Sequence, residues 1–184
     1  ITLANVPYNI SLEREIEASI SCLASPSPLV SGSTATWEVV VSDGGFGTPT
    51  FVWRGDDSLT GTTRSVTKTY TNSTTGDITK KASVTVTKGG VISNTECTPL
   101  SVVPVLSVSQ CTANPNPADS GATVTWGAGT VTGGSGTVSY EWTGDDSLRG
   151  ATTNVTKSYT NTTAVTQQKS ANVKVTKGSQ EVTS

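Results

Sequence analysis

Histidine and methionine are missing altogether from this 184-residue sequence, cysteine occurs three times, and aromatic residues make up only 5%. Without histidine there is no His-based triad, no Zn–His site and no HExxH helix. Charge is scarce too: 12 Lys+Arg against 14 Asp+Glu gives a net −2, and charged residues are 14% where about 25% is ordinary. With no basic excess, a nucleic-acid partner held through phosphate contacts is not expected. No apolar run approaches the roughly 18 residues of a membrane-spanning helix. The first residue is Ile1, with neither initiator Met nor leader pattern, so the chain reads as a processed protein or an excised fragment.

Hydroxyls fill the space that charge leaves. There are 34 Thr and 24 Ser, roughly a third of the chain. Apolar residues are 33% without the 18 Gly; with them the total nears the globular average, so disorder is not implied. Valine is abundant while Ala and Leu are sparse, which favours strands over helices.

The strongest feature is an internal repeat. A shift of 89 residues, without a gap, places Cys22 on Cys111, Trp37 on Trp126, Trp53 on Trp142 and Tyr70 on Tyr159. The run Gly55-Asp56-Asp57-Ser58-Leu59 recurs as Gly144-Asp145-Asp146-Ser147-Leu148, and 35 of the 74 aligned positions are identical. Each unit has the size of a small sandwich domain.

Within a unit the apolar period is two. Ile16, Ala18, Ile20 and Cys22 form one face of a first strand, and Ala35, Trp37, Val39 and Val41 one face of a second. A Gly-rich turn, Gly44-Gly45-Phe46-Gly47, follows. Phe51 and Trp53 (Tyr140 and Trp142 in the second unit) point inward on a third strand, with Val52 and Glu141 facing water. Val66 and Tyr70 mark a fourth strand, and Ala82, Val84 and Val86 a fifth. That strand turns at Lys88-Gly89-Gly90 into a last one ending at Cys97. Six or seven short strands with Gly/Pro turns predict an all-β, two-sheet antiparallel sandwich.

The order Tyr140-x-Trp142, an acidic turn, Lys157-Ser158-Tyr159-Thr160 and Val173-x-Val175 resembles the PKD domain, an immunoglobulin-like sandwich common in bacterial and archaeal surface proteins. Where that family carries Trp-Asp-Phe-Gly-Asp-Gly, this chain has Trp-Thr-Gly-Asp-Asp-Ser. The resemblance covers residues 16–97 and 106–184. It implies two tandem antiparallel immunoglobulin-like (PKD-like) β-sandwiches and is nearly silent on activity. In such sandwiches the first and last strands often run side by side in parallel, which implies a Cys22–Cys97 bridge. The alternative is three free buried thiols. The shifted partner of Cys111 falls at position 186, so Cys111 is expected without a partner in this chain. A bridge closing so long a loop contributes roughly 4–5 kcal/mol in the chain-entropy model and places the protein outside the reducing cytosol, at the cell surface or in the extracellular space.

The expected organisation is an extended arm over 1–15, a sandwich over 16–98, a Pro-containing linker over 99–105 and a second sandwich over 106–184. No catalytic residues and no cofactor are expected. Asp56, Asp57, Asp145 and Asp146 could ligate Ca²⁺ if carbonyl oxygens completed the shell; the competing reading is a hydrogen-bonded turn. Trp37, Trp53, Trp126 and Trp142 are expected in the core with Tyr70 and Tyr159, rather than as sugar-stacking platforms. Asn9, Asn72, Asn154 and Asn161 open Asn-x-Ser/Thr sequons. Lys80, Lys81 and Lys169 lack an evident Asn and acid for an isopeptide cross-link. Ile1, Leu3, Val6, Tyr8 and Ile10 make the arm too apolar for a solvated tail: it reads as the last strand of a preceding domain or a strand donated to a neighbouring molecule. Three functions follow, none of them enzymatic. The first is a repeated spacer of an extracellular adhesin or envelope stalk, its partners other repeats or neighbouring subunits. The second is a filament subunit assembled through the arm. The third is an accessory glycan-binding module of a secreted hydrolase.

Overall fold

The computed structural model describes residues 19–42 and 47–184. The arm over 1–15, including Ile1, Leu3, Val6, Tyr8 and Ile10, lies outside the described residues, as do Ile16, Ala18 and most of the first Gly-rich turn. Among the described residues every element longer than a 3-10 turn is a strand.

The first repeat contains β1 (Ile20–Ser25), β2 (Leu29–Val30), β3 (Thr34–Val41), β4 (Thr50–Gly55), β5 (Leu59–Gly61), β6 (Ser65–Thr69), β7 (Ile78–Lys80), β8 (Ala82–Lys88), β9 (Val91–Glu96) and β10 (Leu100–Val103). One sheet has the order β1-β3-β6 and another β5-β4-β8-β9. Alternation decides which side chains meet between them. Cys22, Ala24, Ala35, Trp37 and Val39 are buried from the first sheet, and Trp53, Leu59, Val84 and Val86 from the second. Leu23, Val40 and Val52, one residue out of phase, are exposed.

A third, smaller sheet corrects the sequence reading of 99–105 as a linker. Leu100–Val103 is a strand, antiparallel to β7 and parallel to β2, with Val102 opposite both Ile78 and Leu29. Leu100 and Val102 are fully buried. The β8–β9 hairpin runs in register from Lys88↔Val91 to Ser83↔Glu96, and the separate small sheet begins at Lys80↔Leu100. Pro99, which has no N–H to give, falls between the two ladders, where no ladder hydrogen bond is asked of it. By spatial proximity β2 and β7 group with 100–184 in one compact unit, while the described residues of 19–25, 36–42, 47–68 and 81–99 form the other.

The second repeat contains β11 (Ser107–Val108), β12 (Thr112–Asn114), β13 (Thr123–Gly127), β14 (Val131–Thr132), β15 (Val138–Gly144), β16 (Leu148–Gly150), β17 (Asn154–Ser158), β18 (Ala171–Lys177) and β19 (Gln180–Thr183). Its sheets are β12-β13-β17, β16-β15-β18-β19 and the pair β11-β14. Val124, Trp126, Trp142, Leu148, Val155, Val173 and Val175 form the core between them. Where β3 is continuous from Thr34 to Val41, its counterpart ends as a strand at Gly127. Gly127-Ala128-Gly129 stands there in place of Glu38-Val39-Val40, and a Cβ at Gly129 would strike the Ser109 carbonyl. The order β1-β3-β6 opposite β5-β4-β8-β9, repeated in the second half, is that of immunoglobulin-like sandwiches in tandem.

Candidate functional site: acidic turns, cysteines and repeat edges

Each acidic turn is a 3-10 turn between two strands, with Asp57 and Ser58 at φ 54° and 60° and Asp146 and Ser147 at 52° and 61°. Two consecutive left-handed residues cost about 1–2 kcal/mol each, so something must hold them. The preceding aspartate does. Asp56 Oδ2 accepts from the Lys81 N–H at 2.8 Å while the Asp56 N–H donates to the Lys81 carbonyl at 3.0 Å. In the second repeat Asp145 Oδ2 accepts from the Ser170 N–H at 2.7 Å and its hydroxyl at 3.1 Å, and the Asp145 N–H donates to the Ser170 carbonyl at 3.0 Å. The N–H and then the hydroxyl of Ser170 hold the Asp145 carboxyl below its ordinary range. Close approach of the same strand end explains the glycine before each pair: a Cβ on Gly55 would lie 2.7 Å from the Lys81 carbonyl, and one on Gly144 2.6 Å from that of Ser170.

Of the candidates Asp56, Asp57, Asp145 and Asp146, Asp56 and Asp145 form the hydrogen-bonded turn. Asp56 and Asp145 spend an oxygen on backbone N–H groups, and Asp146 pairs with Lys169 at 2.9 Å. The hydrogen bond to Asp146 raises the Lys169 pKa. Lys169 also lies over the Tyr159 ring, as Lys80 does over Tyr70. Among the described residues no group of three or more His, Cys, Asp or Glu side chains gathers to hold a metal ion.

Trp37, Trp53, Trp126 and Trp142 are 0%, 1%, 9% and 1% exposed, so none offers a ring face to a sugar. Three of the indole N–H groups are turned inward: Trp53 donates to the Thr63 carbonyl, Trp142 to that of Thr152, and Trp126 to the Tyr159 hydroxyl. Cys22 and Cys97 are disulfide-bonded with their Cα atoms 4.6 Å apart. The Thr98 N–H donates to the Cys22 carbonyl beside the bond. Cys111 is a free, half-buried thiol. Its S–H is directed at the Ala171 carbonyl; the equivalent Ala82 carbonyl instead accepts from the Cys97 N–H.

Asn72, read as a sequon, is a structural side chain. It is 7% exposed, and its Nδ2 donates to the Gly76 and Val102 carbonyls at 2.8 Å each. Its Oδ1 accepts from the Thr74 N–H and hydroxyl. The Asn-x-Thr spacing is thus an Asx turn that also clasps β10. Its recurrence as Asn161-x-Thr163 was the sequence signal for this role. Asn161 keeps the bonds to Val165 and Thr163. Among the described residues it has no counterpart of the bond to β10.

The two repeats part company along this edge. Leu29 is fully buried and Val30 and Ile78 are half-buried, whereas their equivalents Ala118, Asp119 and Gln167 are exposed, and the stretch equivalent to β7 is not a strand. Tyr70 is fully buried; Tyr159 is only half-buried. The Ser31 N–H donates to the Val103 carbonyl at 2.8 Å.

No family model matches the sequence, and no curated protein matches it either. Among solved structures it is similar to the three N-terminal domains of the bacteriophage RB49 highly immunogenic outer capsid protein (Hoc). That match has 16% identity and a TM-score of 0.42, covering 91% of this chain, which spans 57% of that one. It is also similar to a two-domain fibronectin type-III segment of chicken tenascin, with 10% identity and a TM-score of 0.35 over 94% of this chain and 98% of that one.

Proposed function

We propose that the chain is a non-enzymatic, extracellular spacer: two PKD-like repeats of a cell-surface adhesin or envelope stalk. The observation that carries this reading is the way the joining segment is consumed. β10 is paired along both edges. Directly after it the Pro104 carbonyl accepts from the Gly134 N–H and the Gln180 amide, and the Leu106 N–H donates to the Gln180 side chain. A segment with so little free backbone is ordered in a way that a flexible linker is not. The disulfide supports an oxidising compartment. Backbone-holding carboxylates and inward-facing Trp side chains favour a structural role over an accessory glycan-binding module.

Surface immunolabelling tests the assignment. An antiserum against the chain should stain intact, unpermeabilised source cells, and external protease should remove the signal. Antigen confined to the cell interior would overturn it.

A further inference from the structure

We propose that Asn154 is an N-linked glycosylation site, modified on the outer face of the second repeat. The proposal adds a modification to the spacer reading and rests on its extracellular placement.

The structure sets one sequon apart from the others it describes. At Asn72 and Asn161 both ends of the side chain are spent inside an Asx turn. The Asn72 amide gives both of its hydrogens away, to the Gly76 and Val102 carbonyls; the Asn161 amide donates to the Val165 carbonyl. Each Oδ1 accepts from the hydroxyl of its own sequon threonine, Thr74 or Thr163. Asn154 and Thr156 are placed differently. They flank buried Val155 on β17, so both project from the solvent face of the strand. Both are exposed, and β17 is the outermost strand of its sheet. Among the described residues neither the Asn154 amide nitrogen nor the Thr156 hydroxyl has a hydrogen-bond partner.

The neighbouring strands supply a second, independent observation. Asn154 lies opposite Gly127, which lies opposite Thr112. The equivalent positions of the first repeat hold Ser65, Glu38 and Leu23. The repeat that gains the asparagine has therefore lost both large side chains beside it. In the first repeat Glu38 pairs with Arg64 at 4.0 Å; Gly127 and Thr153 stand in their places. Asn154 Oδ1 lies over the bare Gly127 backbone, where a Cβ would come within 3.1 Å of it and of Thr112 Oγ1. A bulky, polar substituent on Nδ2 would thus rest on open backbone among the hydroxyls of Thr112, Thr153 and Thr156, each able to donate or accept. The donor is a sugar activated at C1 as a diphosphate ester. In the transfer the Nδ2–C1 bond forms and the C1–O bond to the diphosphate breaks. The diphosphate leaves with the electron pair, and the amide nitrogen gives up one proton.

The test uses the full chain isolated from the surface of its source cells. Peptide mass spectrometry should find hexose- or N-acetylhexosamine-containing increments at Asn154 and none at Asn72 or Asn161. In the same cells Thr156→Ala, which leaves the asparagine in place, should abolish the increment, as should Asn154→Gln, whereas Thr156→Ser should keep it. An unmodified Asn154 on a chain that immunolabelling places at the surface would overturn this proposal and leave the spacer reading standing. A sugar increment that survives Thr156→Ala, or equal occupancy at Asn72 or Asn161, would overturn it as well. Antigen confined to the cell interior would overturn both.

Discussion

Removing the Cys22–Cys97 bond, by reduction or by Cys22→Ala with Cys97→Ala, should destabilise the first repeat and spare the second. The bond ties β1 to the residue after β9 and closes a loop with a sequence separation of 75. In the chain-entropy model a loop of that length contributes about 4.5 kcal/mol, by limiting the unfolded chain. Unfolding free energies of whole domains are commonly about 5–15 kcal/mol, so the bond is worth a large share of this repeat's stability. With a urea dependence of roughly 1 kcal/mol per molar for so small a unit, the midpoint should fall by about 4.5 M. The second repeat is an internal control, because its only cysteine is free. Hydrogen exchange with mass spectrometry in increasing urea separates the two through matched reporters. β8 and β18 share Ala, Val, Val, Thr and Lys at equivalent positions. On reduction β8 should lose protection at low urea while β18 keeps it. A loss under about 1 kcal/mol at β8, or an equal loss at both strands, would refute the reasoning.

Two further outcomes are expected. The folded-state pKa of Asp145 is depressed below 3.8, so its contribution is fully present above that pH and is lost as pH falls through the folded value; Asp145→Asn should flatten the acid limb of second-repeat stability, and an acid limb unchanged by the substitution would count against the turn-closing role. Gly144→Ala forces a Cβ against the Ser170 carbonyl and should cost about 1–3 kcal/mol, read as a lowered urea midpoint; a change below about 0.5 kcal/mol would show that the strand end can yield.

The duplicated unit, the alternating core faces and the recurring acidic turn were legible in the sequence, because each is carried by side-chain type at fixed local spacing. Trp37, Trp53 and Val84 declare their face by period two, and a sandwich follows once several such faces must be buried together. What Leu100–Val103 does could not be read that way. Two prolines flank the segment, and four residues of which three are apolar are equally at home in an extended linker. Only the tertiary structure decides that it pairs with strands distant in sequence, β2 and β7. The roles of Asn72 and of Asp56 are decided likewise, since a sequon and an acidic pair look the same whether their polar atoms meet water or a backbone. Local chemistry fixes which surface of a segment is apolar. Which backbone groups lie within about 3 Å of a given side chain is a property of the folded chain as a whole.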